Sequence, residues 1–232
     1  MISASRPLFA APLRSIPPAA AALSAASLLT MVALAHHPVA VHHAGPALLA
    51  DLAQQGSASA KVHATIIALV GTLLYGVIAL ALRLDLRRPA IAFGLAAYGL
   101  GCAAMTGAML LDGFATPAMA GWLLTHGPAL GHAAGANPGA PDIASLALIA
   151  IVLLVLTKAG FIGMGVGMAC LSWSRASSTR LLAALALPAT VLPCLAVVAG
   201  MPIAPPSLIM LTALQALWYM AAAWTLWRGA RP

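Results

Sequence analysis

Acidic side chains are nearly missing from this sequence. Four aspartates and no glutamate stand among 232 residues, and charged residues of both signs make up only 6%. A soluble domain carries about a quarter charged residues, so a surface facing water on all sides is excluded. Aromatic residues reach only 5%, and the three cysteines, Cys102, Cys170 and Cys194, all fall inside apolar runs. A disulfide framework is therefore not expected, and the thiols read as small hydrophobes. Serine nucleophile elbows, paired carboxylates and compact HExxH or HxxxH spacings are absent as well, as are internal repeats.

What is present is apolar: 62% of the chain, with a mean hydropathy of +1.01. Crossing a hydrocarbon core of about 30 Å takes roughly 20 apolar residues. Six stretches qualify, at 18–35, 62–82, 90–112, 143–172, 180–200 and 207–227. The expected fold class is all-α: a polytopic integral membrane protein, a single membrane domain over 1–232 built as a six-helix antiparallel transmembrane bundle.

The net charge of +7 would point to nucleic acid in a soluble protein. Here nine of the eleven cations are arginines, and they sort by connection: Arg6 and Arg14 before the first span, Arg83, Arg87 and Arg88 after the second, Arg175 and Arg180 after the fourth, Arg228 and Arg231 at the tail. The other three connections hold only Lys61. The positive-inside rule then places both termini in the cytoplasm of a bacterial-type inner (plasma) membrane, with 36–61, 113–142 and 201–206 outside. Trp173, Trp224 and Trp227 fall at inner helix ends, in keeping with that frame. The partner is the lipid bilayer, not nucleic acid; further membrane subunits or a second copy of the chain are left open. A rival reading of residues 1–35 is a secretory signal cleaved after Ala33-Leu34-Ala35, which would make His36 the mature N-terminus.

Two outer segments carry helical patterns of their own. PALLADLAQQ sets Leu48, Leu49 and Leu52 against Asp51, Gln54 and Gln55, which suits a helix lying on the surface. PAMAGWLLTH, in the Gly/Pro/Ala-rich stretch after Asp112, reads as a short interfacial or re-entrant helix.

The histidines hold the chemistry. All seven fall on the expected outer side: His36, His37, His42 and His43 in HHPVAVHH, His63 at the start of the second span, and His126 and His132 in the long loop. Imidazole with carboxylate suits zinc, copper or ferrous iron. Pro38 interrupts any helix through the paired histidines, so the segment is free to fold back over the bundle. His63 and Asp112 stand at the ends of consecutive spans, where a ligand set is best positioned, and they are expected to meet with His36, His37 or His126 nearby. Met109 and Met105 lie one and two turns below Asp112, and thioether sulfur beneath a His/Asp layer favours copper. A cleaved His36 would offer its amino group and ring together, as in histidine-brace copper sites. The candidate metal set is His36, His37, His42, His43, His63, Asp112 and His126, with copper or zinc as the ion. Haem is the weaker fit, because no inner ligands exist for a second haem.

Lys158 is the second anomaly, placed mid-span at a cost of about 2.5–3.5 kcal/mol. Tyr75 and Gln215 fall at similar depth, and the three are expected to form an inward-facing polar layer. The glycines of GFIGMGVGM and those of the third span, Gly94, Gly99, Gly101 and Gly107, predict close helix packing. Pro188 and Pro193 predict a kinked fifth span. Three function classes follow: a metal- or haem-binding protein acting in metal handling or as a redox enzyme subunit, a small-solute or proton-coupled transporter or channel using the Lys158 layer, and a structural subunit without a site. Whether the chain is an enzyme is not encoded in these residues.

Overall fold

The computed structural model describes residues 16–42, 45–133, 144–173, 180–200 and 205–228. Every regular element among them is helical: α1 (Ile16–Ala35), α2 (Gly45–Gln54), α3 (Gly56–Leu84), α4 (Pro89–Leu110), a π-helical turn (Leu111–Ala115), α5 (Thr116–Ala133), α6 (Ala144–Trp173), α7 (Arg180–Ala186), a second π-helical turn (Leu187–Val191), α8 (Leu192–Val198) and α9 (Pro205–Arg228). Six helical stretches among the described residues are long and apolar enough to cross a membrane, and each overlaps one of the six expected spans, the third running on from Pro89 to His126. Their outward faces are apolar too, with Phe93, Leu100, Leu148, Ile151, Val155 and Leu195 all more than half exposed.

The short connection between α3 and α4 forms because Asp85 takes a left-handed backbone (φ 81°) that aspartate tolerates. Its carboxylate accepts the Arg87 N–H at 3.2 Å, its carbonyl accepts that of Arg88 at 3.1 Å, and Pro89 opens the next helix. This hairpin sets α3 beside α4, so His63 and the residues after α4 share the end opposite the turn.

Glycine decides how closely α4 and α6 approach. A Cβ on Gly101 would lie 2.4 Å from the Met164 nitrogen, and one on Gly167 would lie 2.7 Å from the Gly94 carbonyl oxygen. The two glycine stripes therefore form a backbone-to-backbone seam, the packing reading of GFIGMGVGM. The core around it holds Leu23, Val77, Leu80, Tyr98, Met168 and Trp218. Two polar pairs are buried in it: the Tyr98 and Tyr219 hydroxyls lie 2.7 Å apart, and the Trp218 indole N–H donates to Ser172 Oγ at 2.7 Å.

The outer segments differ from expectation in one respect. PALLADLAQQ is a separate helix, α2, but PAMAGWLLTH is no isolated piece: the chain stays helical from α4 through the π-turn into α5. The wider turn absorbs a residue without breaking the backbone ladder, and the Thr116 hydroxyl donates to the Leu111 carbonyl across it. Leu49 of α2 packs with Ala120 and Leu123 of α5 in a small core of their own. The proline-bearing span is interrupted at its prolines, with Pro188 inside the second π-turn and Pro193 at the start of α8.

Candidate metal centre

Three side chains from three elements meet at one end of the helices. His37 follows the last turn of α1, its N–H bonded to the Leu34 carbonyl. His63 lies two turns into α3 and is fully buried, and Asp112 is the second residue of the π-turn. Their polar atoms form a nearly equilateral triangle: His37 Nε2 to His63 Nε2, 3.2 Å; His63 Nε2 to Asp112 Oδ2, 3.1 Å; His37 Nε2 to Asp112 Oδ2, 3.3 Å.

Tautomer chemistry restricts what can fill the triangle. His63 Nδ1 donates to the Ser59 carbonyl oxygen at 2.7 Å, so in the neutral ring Nε2 presents a lone pair. That lone pair faces a carboxylate oxygen and a second imidazole nitrogen. A single proton satisfies one edge and leaves other acceptors in contact. A cation satisfies all three at once, and a tetrahedral ion with bonds of about 2.0 Å spaces its ligand atoms about 3.3 Å apart. The bond from His63 to the Ser59 carbonyl is the kind that orients metal-binding imidazoles. The rings of His37 and His63 stand edge to face, 4.8 Å between centroids and 77° between planes.

Gly113 makes this convergence possible. A Cβ there would sit 2.4 Å from His63 Cβ, so α3 and the π-turn touch only because the side chain is missing. Neither Gly113 nor Ser59 was singled out in the sequence. The signals were present as a glycine directly after the aspartate and a serine one helical turn before the histidine.

The remaining nominated ligands lie apart. His36 Nδ1 turns back to the Val32 carbonyl at 2.9 Å on an exposed face, and His126 stacks on Trp122 and bonds the Trp122 carbonyl. His42 is held by Asp51, whose Oδ2 accepts from the Val41 N–H, the His42 N–H and the His42 ring, each at 2.9 Å. HHPVAVHH thus divides its labour: His37 joins the cluster while His42 pins the strap beyond Pro38 to α2. His43 and the side chain of His132 lie outside the described residues.

Nor does the Lys158 layer assemble. Lys158 is half-buried with no hydrogen-bond partner among the described residues, and Tyr75 is 46% exposed on another face. Register explains the difference. Leu153, Thr157, Phe161 and Met164 form the stripe of α6 that faces an internal cavity, and Lys158 lies about 100° around the helix from Thr157.

That cavity, about 170 Å³, runs inward from the cluster between α1, α3, α4, α6 and α9. His37 and Asp112 line it, with Met105 and Met109 of α4, and Gln215 and Tyr219 of α9. An ion held by the triangle would have an open position toward this space, the arrangement of catalytic rather than structural metal sites. No protein-family model matches the chain, and comparisons with curated proteins and with solved structures find no match.

Proposed function

We propose that this chain is a multi-pass inner-membrane protein, an antiparallel six-helix bundle with both termini in the cytoplasm, that binds one first-row transition-metal ion at its periplasmic end. His37 Nε2, His63 Nε2 and Asp112 Oδ2 are the ligands. The observation that carries the reading is the triangle of three facing ligand atoms, with edges of 3.1–3.3 Å and the lone pair of neutral His63 directed inward. Two imidazoles and one carboxylate suit zinc, and the methionines lining the cavity add copper to the range. The 3.2 Å between the two imidazole nitrogens favours a bare ion over haem, whose axial nitrogens stand about 4 Å apart across the iron at bonds of about 2 Å. The open position suits metal handling or a redox enzyme subunit.

Elemental analysis of the detergent-purified chain tests this. About one zinc or copper ion per chain is expected, lost in His63→Ala and Asp112→Ala and kept in His42→Ala and His126→Ala. Equal metal content in all four variants would refute the assignment.

A further inference from the structure

The cavity has a deep end as well as a metal-facing end, and its polar groups are unevenly used. Ser27, Thr30 and Thr157 each donate a hydroxyl to a carbonyl of their own helix, and Tyr219 pairs with Tyr98. Gln215 is different. It is 4% exposed, lines the cavity, and its amide nitrogen is buried with no hydrogen-bond partner among the described residues, a state shared there by His37 Nδ1 at the metal-facing end. Leaving a buried amide donor unmade costs about 1–3 kcal/mol, and a native interior seldom carries that without something to occupy the site.

We infer that the cavity is a binding chamber for a small, uncharged, mainly apolar molecule with one acceptor oxygen, such as a ketone or an ether. The oxygen accepts from Gln215 Nε2. The hydrocarbon part lies among Ile66, Val70 and Phe161 and points toward the His37–His63–Asp112 end. Size sets the scale, because an apolar cavity of about 150 Å³ holds benzene. A space of about 170 Å³ therefore takes a molecule of about six to eight non-hydrogen atoms. A charged ligand is disfavoured by the walls, whose ionisable groups among the described residues, His37 and Asp112, both stand at the metal-facing end. What the hydrocarbon end meets rests on the proposed metal site; the oxygen contact at Gln215 does not.

The test uses the full chain in detergent, metal-loaded and chelator-stripped, with carbonyl-¹³C 2-hexanone as the probe and hexane as its control. Partition relative to empty micelles measures binding, and the isotope-edited infrared carbonyl band measures hydrogen bonding. Saturable 2-hexanone binding is expected in the stripped protein, with the carbonyl band moved to lower wavenumber and hexane bound more weakly. Gln215→Leu should abolish the band shift and weaken binding about three- to tenfold. Val70→Phe, which fills the chamber, should abolish saturable binding, with unchanged helical circular dichroism reporting that the fold survives. Partition equal to that of empty micelles, or an unchanged band in Gln215→Leu, would overturn the inference. Saturable ketone binding by a protein that never holds metal would defeat the metal assignment and leave the chamber. Metal retention without saturable ketone binding would do the reverse.

Discussion

Gly113 and Ser59 show how much of the centre depends on residues that carry no ligand atom. With Ala at 113, the new methyl would overlap His63 at 2.4 Å, and the contact is to Cβ, which no rotamer change can move away. The π-turn and α3 must separate, pulling Asp112 from His63. Gly113→Ala should therefore weaken metal binding by about 10- to 100-fold, the range seen when supporting contacts of a metal ligand are lost, while the helical content by circular dichroism stays unchanged. Ser59→Ala provides the contrast. The strong contact to His63 is the Ser59 backbone carbonyl at 2.7 Å, not its hydroxyl at 3.2 Å, so Ser59→Ala should retain nearly wild-type metal affinity. A competition titration with a chromophoric chelator measures both. Equal affinity in Gly113→Ala and the wild type would show that the two elements can part without disturbing the ligands.

The strap between α1 and α2 belongs to the scale of elements, because it delivers His37 and is tied down at Asp51. One carboxylate oxygen accepts two backbone N–H groups and a ring nitrogen, and Gln55 donates to the Val39 carbonyl beside it. Hydrogen bonds from the His42 backbone and then its ring hold the Asp51 carboxyl below its ordinary value of 3.8. A depressed carboxylate contributes stability that is present above its unfolded value and disappears as pH falls through the folded one. Amide exchange at Val41 and His42 should thus stay slow near neutrality and speed up, relative to intrinsic rates, only in acid below the ordinary carboxylate range. Asp51→Asn should show the fast behaviour throughout. An Asn variant as protected as the wild type at pH 7 would mean that the strap is held by other contacts. At this scale the sequence was also partly legible. Hydrophobic run length located the spans, and the placement of His63 and Asp112 at ends of consecutive helices pointed to their meeting. The π-turn that aims Asp112 has no signature in LDGFA, and the failure of the Lys158–Tyr75–Gln215 layer shows why: depth along a span can be counted, but rotation about the helix axis is set by packing against neighbours.

On the scale of the whole molecule, the metal centre and the Asp85 turn stand at opposite ends of α3, a helix of 29 residues and so about 43 Å long. That exceeds a hydrocarbon core of about 30 Å, so an α3 that crosses the bilayer would present each end at an interface on its own side. Ser57 marks the end near His63, and Asp85 marks the other. Arg83, Arg87 and Arg88 surround Asp85, whereas the α2–α3 region near Ser57 contributes only Lys61. Basic residues stay on the cytoplasmic side because their translocation is disfavoured, and the Arg228 guanidinium stacked 4.7 Å over Trp224 places a further cation and an interfacial aromatic at the end of α9. In a background with Cys102, Cys170 and Cys194 replaced by alanine, Ser57→Cys should react in intact cells with a membrane-impermeant maleimide, and Asp85→Cys should react only after permeabilisation. The opposite pattern would put the His37–His63–Asp112 centre on the cytoplasmic side, where the ion would be drawn from the buffered intracellular pool. Labelling of both positions without permeabilisation would mean that α3 does not cross the bilayer at all, and the apolar exterior of the helices would then have to be covered by protein.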